Sequence, residues 1–310
     1  MSWKIPKTVL GNKIEWDLAK IPGRSKKGRW TGKDDQLWRC RKTKKFEASL
    51  LNNLPHGASF VDAGAHFGDT VLTMALYARD TLRRDDIRFV AFEPNPKKAR
   101  FIEECAAANG FAPDTLRVIS CVLGDETSIE GATAMRDHGK DWCEFDGRTS
   151  YSKVTPPDED VSSVPSGNRG CSNTDDEYSC GSNSTSSCNR LLDVHRLDDY
   201  YDHIHPLGFL HIDVEGWEAR VIAGASSLLT ASENSTAVIS QCYVLAETLS
   251  KKEARSRGPG FSETHEDDVL KVMKEFSFTR GEDVVDIERN LFFARFDDKV
   301  SNSVSAVTAS

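Results

Sequence analysis

The feature that most restricts this chain is an alternation. Short runs of aliphatic, β-branched and aromatic residues recur between stretches with helical spacing, and the runs are apolar at nearly every position rather than at every second one. Such strands leave no polar face for water, so both faces of their sheet must be covered. Strands are expected at 59–62, 88–92, 115–122, 208–214 and 236–244, then at 276–279 and 291–296. Helices are expected at 69–78, 96–109, 217–229 and 266–276. Strand and helix in this order predict an α/β fold with a mostly parallel sheet.

Three segments break the alternation. Residues 1–46 hold fourteen Lys or Arg against Glu15, Asp17, Asp34 and Asp35, although the whole 310-residue chain carries a formal charge of −8. A basic arm is thus attached to an acidic body. Such an arm can meet nucleic acid or another anionic partner, but a solvated extension is the expected reading. Trp3, Trp16, Trp30 and Trp38 predict that parts of it pack on something. From 146 to 190 the chain is polar, with 11 Ser, Pro156-Pro157 and few large apolar residues, and burial cannot offset its ordering entropy. This is read as a disordered insertion. The expected organisation is a basic extension over 1–46, one domain over 47–297 interrupted at 146–190, and a flexible tail over 298–310.

The start, Met-Ser-Trp-Lys-Ile-Pro-Lys, lacks the apolar stretch of a secretory signal, and no run approaches the roughly 18 apolar residues of a membrane span. An intracellular, cytoplasmic protein is expected. The eight Cys form no C-x-x-C pair, and His203, His205 and His211 have no recognised ligand spacing, so neither a zinc nor another metal site is expected. Free thiols follow.

In an open α/β sheet, ligands lie beyond the carboxyl ends of the strands near the point where strand order reverses. After the first expected strand comes Asp62-Ala63-Gly64-Ala65-His66-Phe67-Gly68-Asp69. Gly64 and Gly68 bracket a tight turn that opens a helix, where unpaired N–H groups face a ligand. The spacing is not the G-x-G-x-x-G of nicotinamide enzymes, and Asp62 suits a cationic ligand better than a pyrophosphate. The second strand ends in Phe92-Glu93-Pro94-Asn95-Pro96, which places Glu93 to accept hydrogen bonds from two ribose hydroxyls. Ser120 and Cys121 follow the third strand and are candidates for an adenine pocket. The fourth strand runs into His211-Ile212-Asp213-Val214-Glu215-Gly216-Trp217-Glu218, and alternation puts His211, Asp213 and Glu215 on one face. Carboxylates crowded at a strand end are costly unless they bind something or share a proton.

These motifs, with Leu197-Asp198-Asp199 and Ala223-Gly224-Ala225, resemble those of the FkbM-type S-adenosylmethionine-dependent methyltransferases. The resemblance implies a Rossmann-like class I methyltransferase fold, with helices on both faces of the sheet and an antiparallel C-terminal strand pair. It also implies S-adenosylmethionine as donor and a hydroxyl oxygen as the usual acceptor, here an unidentified small molecule, glycan or lipid. By the same resemblance, Asp62, Gly64 and Gly68 face the methionine part, Glu93 the ribose, and Asp213 and Glu215 the donor–acceptor region. His66 and Asn95 lie in the same turns as further cofactor-binding candidates.

Two departures from the family pattern stand out. His211 occupies the place of a usual Lys, and Gln241 stands where the later strand commonly ends in Glu. Asp213 is the preferred residue for the reaction centre, with His211 and Glu215 as further candidates for the base. A different class of function also fits these residues: a catalytically silent module that binds the donor and recruits partners.

Overall fold

The computed structural model describes residues 7–15, 40–136, 143–145, 190–214, 216–230, 241–248, 265–280 and 290–296. Most of the expected insertion, the tail and the four arm tryptophans lie outside these residues. In chain order the elements begin with α1 (Arg41–Leu51), β1 (Ser59–Ala63), α2 (Asp69–Leu76), β2 (Arg88–Phe92), α3 (Pro96–Ala108), β3 (Leu116–Ile119) and β4 (Val122–Leu123). There follow β5 (Ser128–Arg136), β6 (Cys143–Phe145), β7 (Arg190–His195), α4 (Tyr201–Ile204), β8 (Leu207–Ile212), α5 (Glu218–Ala223) and α6 (Ser226–Thr230). The chain continues through β9 (Gln241–Glu247), α7 (His265–Glu275), β10 (Thr279–Arg280) and β11 (Asn290–Phe296).

Seven strands form the main sheet in the order β10-β11-β9-β8-β1-β2-β3. β1 is parallel to both β2 and β8, while β11 runs antiparallel to β9 and to β10. The expected doubly wound sheet with an antiparallel C-terminal pair is therefore present. Strand order reverses at β1, so the carboxyl ends of β1, β2 and β8 surround the switch point.

Alternate residues of each strand explain why both faces are closed. Phe89, Phe60, Phe209, Tyr243 and Phe292 point to one face and form a row across five strands. Successive ring centroids lie 5.8, 4.9, 6.1 and 5.8 Å apart, within the range of favourable aromatic pairs. Helices α1, α2 and α3 cover this face, with Phe46 of α1 set edge-on against Phe292 at 4.8 Å. Val61, Val90, Leu210, Val244 and Phe293 point to the other face, covered by α5, α6 and α7. Each strand thus uses both of its side-chain sets in burial, which is why its sequence lacks polar alternation.

The edges of the elements differ from the sequence reading in instructive ways. β5, β6 and β7 join β4 in a second sheet, ordered β4-β7-β5-β6, that the pattern did not signal. β5 reads Ser-Ile-Glu-Gly-Ala-Thr-Ala-Met-Arg, with a central glycine and few large side chains, so it lacks a strong strand signal. β7 begins at Arg190, the last residue of the expected insertion. The helix expected at 217–229 is two, α5 and α6, separated at Gly224, whose absent Cβ would lie 2.0 Å from the Gly124 carbonyl oxygen. Part of the N-terminal arm also packs: Ile14 is buried, and Asn109 at the end of α3 exchanges hydrogen bonds with the backbone of Glu15.

Candidate active site

The turn after β1 is shaped by its own backbone. The Gly64 and Ala65 amides both donate to the Phe92 carbonyl, at 3.0 and 2.9 Å, which ties this turn to the end of β2. Gly64 has φ +89°, and a Cβ there would lie 2.0 Å from the Asp213 carbonyl oxygen. Gly68, at φ +78°, opens α2, and its missing Cβ leaves room for Ile102. The two glycines are therefore required by intramolecular contacts, the first of which brings the ends of β1 and β8 together. Asp62 is 1% exposed and accepts the Val71 amide at 3.1 Å, joining the strand end to the first turn of α2.

Glu93 links the next turn. Its Oε2 accepts the His66 amide at 2.8 Å and its Oε1 the Asn95 amide at 2.9 Å. Asn95 caps α3, its side chain accepting from the amides of Lys97 and Lys98, and Pro96 supplies the preset φ of the first helical position. His66 itself has φ 54° and its ring lies against Phe67. Four candidates, His66, Glu93, Asn95 and Gly64, thus belong to one hydrogen-bonded corner.

Ser120 is exposed after β3, and Cys121 is buried beside Tyr200, whose hydroxyl donates to the thiol sulfur at 3.7 Å. Tyr200 also meets Phe92 edge-on at 5.2 Å. Burial pushes the Cys121 thiol up to about 12, so it is an unreactive wall residue.

At the end of β8 the Asp213 amide donates to the Ala63 carbonyl at 2.9 Å, continuing the strand alongside β1. Glu215 lies outside the described residues. The loop around it is tied from behind by Glu218, whose carboxylate accepts the amides of Val214 and Gly216 and pairs with His265 Nε2 at 2.5 Å. Both Glu218 and His265 are buried. In β9 the last residues paired with β8 are Ile212 and Ala246. One residue further on each strand come Asp213 and Glu247.

Helix α1 covers the same end of the sheet. His211 Nδ1 donates to Glu47 Oε1 at 2.5 Å, and Lys44 Nζ donates to Asp69 Oδ2 at 2.5 Å. Lys44 and Glu47 are each 0% exposed. Burial alone would drive the proton off His211, but the charge and hydrogen bond of Glu47, with Asp62 and Glu247, outweigh it and raise the imidazole to about 9. The opposite holds across the turn. Burial raises Asp62 to about 6 against the pull of His211, and raises Glu93 to about 7 against the pull of Lys98.

Among the described residues, no group of three His, Cys, Asp or Glu could hold a metal, and no helix is long and apolar enough to cross a membrane. Cys40, Cys105, Cys121 and Cys242 are free thiols.

A family model described as the methyltransferase FkbM domain matches residues 62–247, well over half of the chain. The chain belongs to the FkbM methyltransferase family. No curated protein sequence matches this chain. Among solved structures, the FkbM methyltransferase of Methylobacillus flagellatus is similar at 13% identity and a TM-score of 0.42, with 81% of this chain and 47% of that one covered. This chain thus spans about half the length of that protein. A S-adenosylmethionine-dependent methyltransferase of Aquifex aeolicus is similar at 11% identity and 0.39, with 85% and 94% covered.

Both apparent departures from the FkbM pattern take a different form in the structure. The Glu47 carboxylate beside His211 raises the imidazole to about 9, which favours a positive charge at the place where the family pattern has Lys. The later strand was expected at 236–244, with Gln241 at the critical place; residues 236–240 lie outside the described residues, and the described strand continues past 244 to end in Glu247. The expectation for Gln241 is corrected by register. The sequence also left out Lys44, Glu47 and Glu218. The i, i+3 spacing of Lys44 and Glu47 on one helical face was the available signal, but nothing local said that this face is covered.

Proposed function

We propose that the chain transfers the methyl group of S-adenosylmethionine to a hydroxyl oxygen of a small-molecule, glycan or lipid acceptor, in the crevice at the ends of β1, β2 and β8. The observation that carries this reading is the adjacency of Asp213 and Glu247 at neighbouring strand ends, with Asp213 seated against the Gly64 turn. The donor set fits the cofactor. Glu93 accepts one amide hydrogen on each oxygen and keeps further lone pairs for the donor hydroxyls of a ribose. Burial raises Asp62 and Glu93 despite the nearby His211 and Lys98, so a further positive charge is favoured there, and the cofactor is a cation.

In this reading Glu93 holds the ribose, the Gly64–Gly68 turn with Asp62 behind it receives the methionine part, and Ser120 and Cys121 border the adenine. When bound, the sulfonium supplies an electrophilic methyl carbon. The chain's own task is alignment of an acceptor oxygen within about 3 Å of that carbon with water excluded, which can supply much of the rate. Asp213 takes the hydroxyl proton as the acceptor oxygen attacks. Glu215 and Glu247 are the carboxylates nearest in sequence and register to assist it. His211 already holds its proton and is turned to Glu47, which favours a fixed cation over a base.

Purified protein incubated with methyl-labelled donor and an extract of small molecules, glycans and lipids tests the proposal. Label should appear in a methyl ether that Asp213→Asn fails to make. Donor binding without any labelled product would sink the transfer reading and leave the binding-module alternative.

A further inference from the structure

Four ionisable side chains from three elements are buried together at one end of the sheet, Lys44 and Glu47 of α1, Asp62 of β1 and His211 of β8, with the half-buried Asp69 of α2 paired to Lys44. Burying such a set is a poor way to gain stability, because well-packed apolar residues of similar size hold a core as well or better. Glu47 is the least favourable member. It is 0% exposed, and its Oε2 has no hydrogen-bond partner among the described residues. What the set does achieve is a connection. Through His211 it reaches the strand that ends in Asp213. Through Asp62, whose carboxylate accepts the Val71 amide, it reaches the turn between β1 and α2. In register, Asp62 and His211 lie directly opposite each other on adjacent strands.

We propose that Glu47 is a positioning residue of the methyltransferase site, holding the ends of β1 and β8 in place through His211 and Asp62. Helix α1 lies outside the family match over 62–247 and is, on this inference, part of the working site. The inference rests on the proposed donor crevice.

The charged groups acting on His211 are Glu47 from α1, Asp62 from β1 and Glu247 from β9, while Asp69 from α2, paired to Lys44, acts on Asp62. All three acting on His211 are carboxyl groups, so the imidazolium is their shared counter-charge. Once His211 loses its proton, Glu47 is left buried beside a neutral ring, and the two strand ends lose their tie. Donor affinity should therefore fall as pH rises through about 9.

The test is isothermal titration of the full chain with S-adenosylhomocysteine from about pH 7 to about pH 10, with the His211 imidazole followed by NMR. Wild type should bind at neutral pH and weaken through the His211 titration. Glu47→Gln should bind roughly tenfold or more weakly at neutral pH, as expected when one partner of a buried pair is removed, and its imidazole should titrate near or below 6.5. The double variant Glu47→Gln, His211→Asn restores a neutral amide pair and should recover most of the affinity without the break near pH 9. Should Glu47→Gln not fold, the wild-type imidazole and the double variant still decide. An imidazole titrating near 6.5 in wild type, or a double variant that keeps the pH break, overturns the inference. So does a folded Glu47→Gln that binds like wild type. If wild type itself fails to bind S-adenosylhomocysteine, the proposed function falls first and this inference with it.

Discussion

The two halves of the crevice are held in different ways. The donor half, formed by the turns after β1 and β2, is tied by bonds between residues close in sequence: Asp62 to Val71, Glu93 to Asn95 and Glu93 to His66, which are 9, 2 and 27 positions apart. The acceptor half, at the ends of β8 and β9, is tied by Glu218 to His265 across 47 positions, and Glu47 to His211 across 164 joins it to the donor half beside Asp62. Their electrostatics differ too. The donor half holds two carboxyl groups raised by burial, to about 6 and about 7, and so favours an arriving cation. The acceptor half already contains its cation in His211. A half built from local bonds can be a portable motif, whereas a half built from distant contacts depends on the whole chain.

The largest effect should come where the halves touch. Gly64→Ala would place a Cβ 2.0 Å from the Asp213 carbonyl at a φ of +89°, so overpacking and backbone strain together should cost roughly 3–5 kcal/mol. Urea unfolding would show it, with S-adenosylhomocysteine binding impaired as well; a stability within 1 kcal/mol of wild type, on the order of an ordinary surface change, would mean the two ends are not locked. Next comes a change confined to one half. Glu218→Gln removes the charge that faces His265 and weakens the acceptor for the Val214 and Gly216 amides, and should cost about 1–3 kcal/mol. Donor affinity should stay within about threefold if the halves are separable. A donor affinity that falls in step with stability would merge them.

The smallest effect is in the pH dependence of the ligand-free protein. Glu93 has a folded value near 7, above its ordinary 4.5, so the native state binds more protons than the unfolded state between these values and stability falls as pH rises across them. His211 has a folded value near 9, above 6.5. Its contribution is complete below about pH 6.5 and is lost as pH rises through about 9. With one pKa unit equal to about 1.4 kcal/mol and coupling among the buried groups, each limb should amount to the order of 1 kcal/mol. Glu93→Gln should shrink the acidic limb to the part that the raised Asp62 contributes, and His211→Asn should remove the alkaline limb, in denaturation followed across pH.

This contrast also explains what could be read in the sequence. The parallel sheet was legible because strands buried on both faces are apolar throughout, as in Phe209-Leu210, and because Pro96 and Asn95 mark a helix start. The donor half was legible for the same reason: Asp62, Gly64 and Glu93 act on neighbours. The end of β9 was placed too early because alternation cannot fix register or extent without the partner strand. Glu247 was missed with it. Lys44 looks like a solvated member of the basic arm and Glu47 like a solvated residue at the start of the domain, since long charged side chains are seldom buried. Only the packing of α1 over His211 shows that they are not.

The most direct test of the division is the affinity of S-adenosylhomocysteine for wild type, Glu93→Gln and Asp213→Asn, compared at about pH 8 in one titration series. Loss of the charged hydrogen bonds to the ribose should weaken Glu93→Gln by roughly ten- to a hundredfold, while Asp213→Asn stays within about threefold of wild type. Equal losses in both variants, or none in Glu93→Gln, would contradict a donor half centred on Glu93 and an acceptor half centred on Asp213.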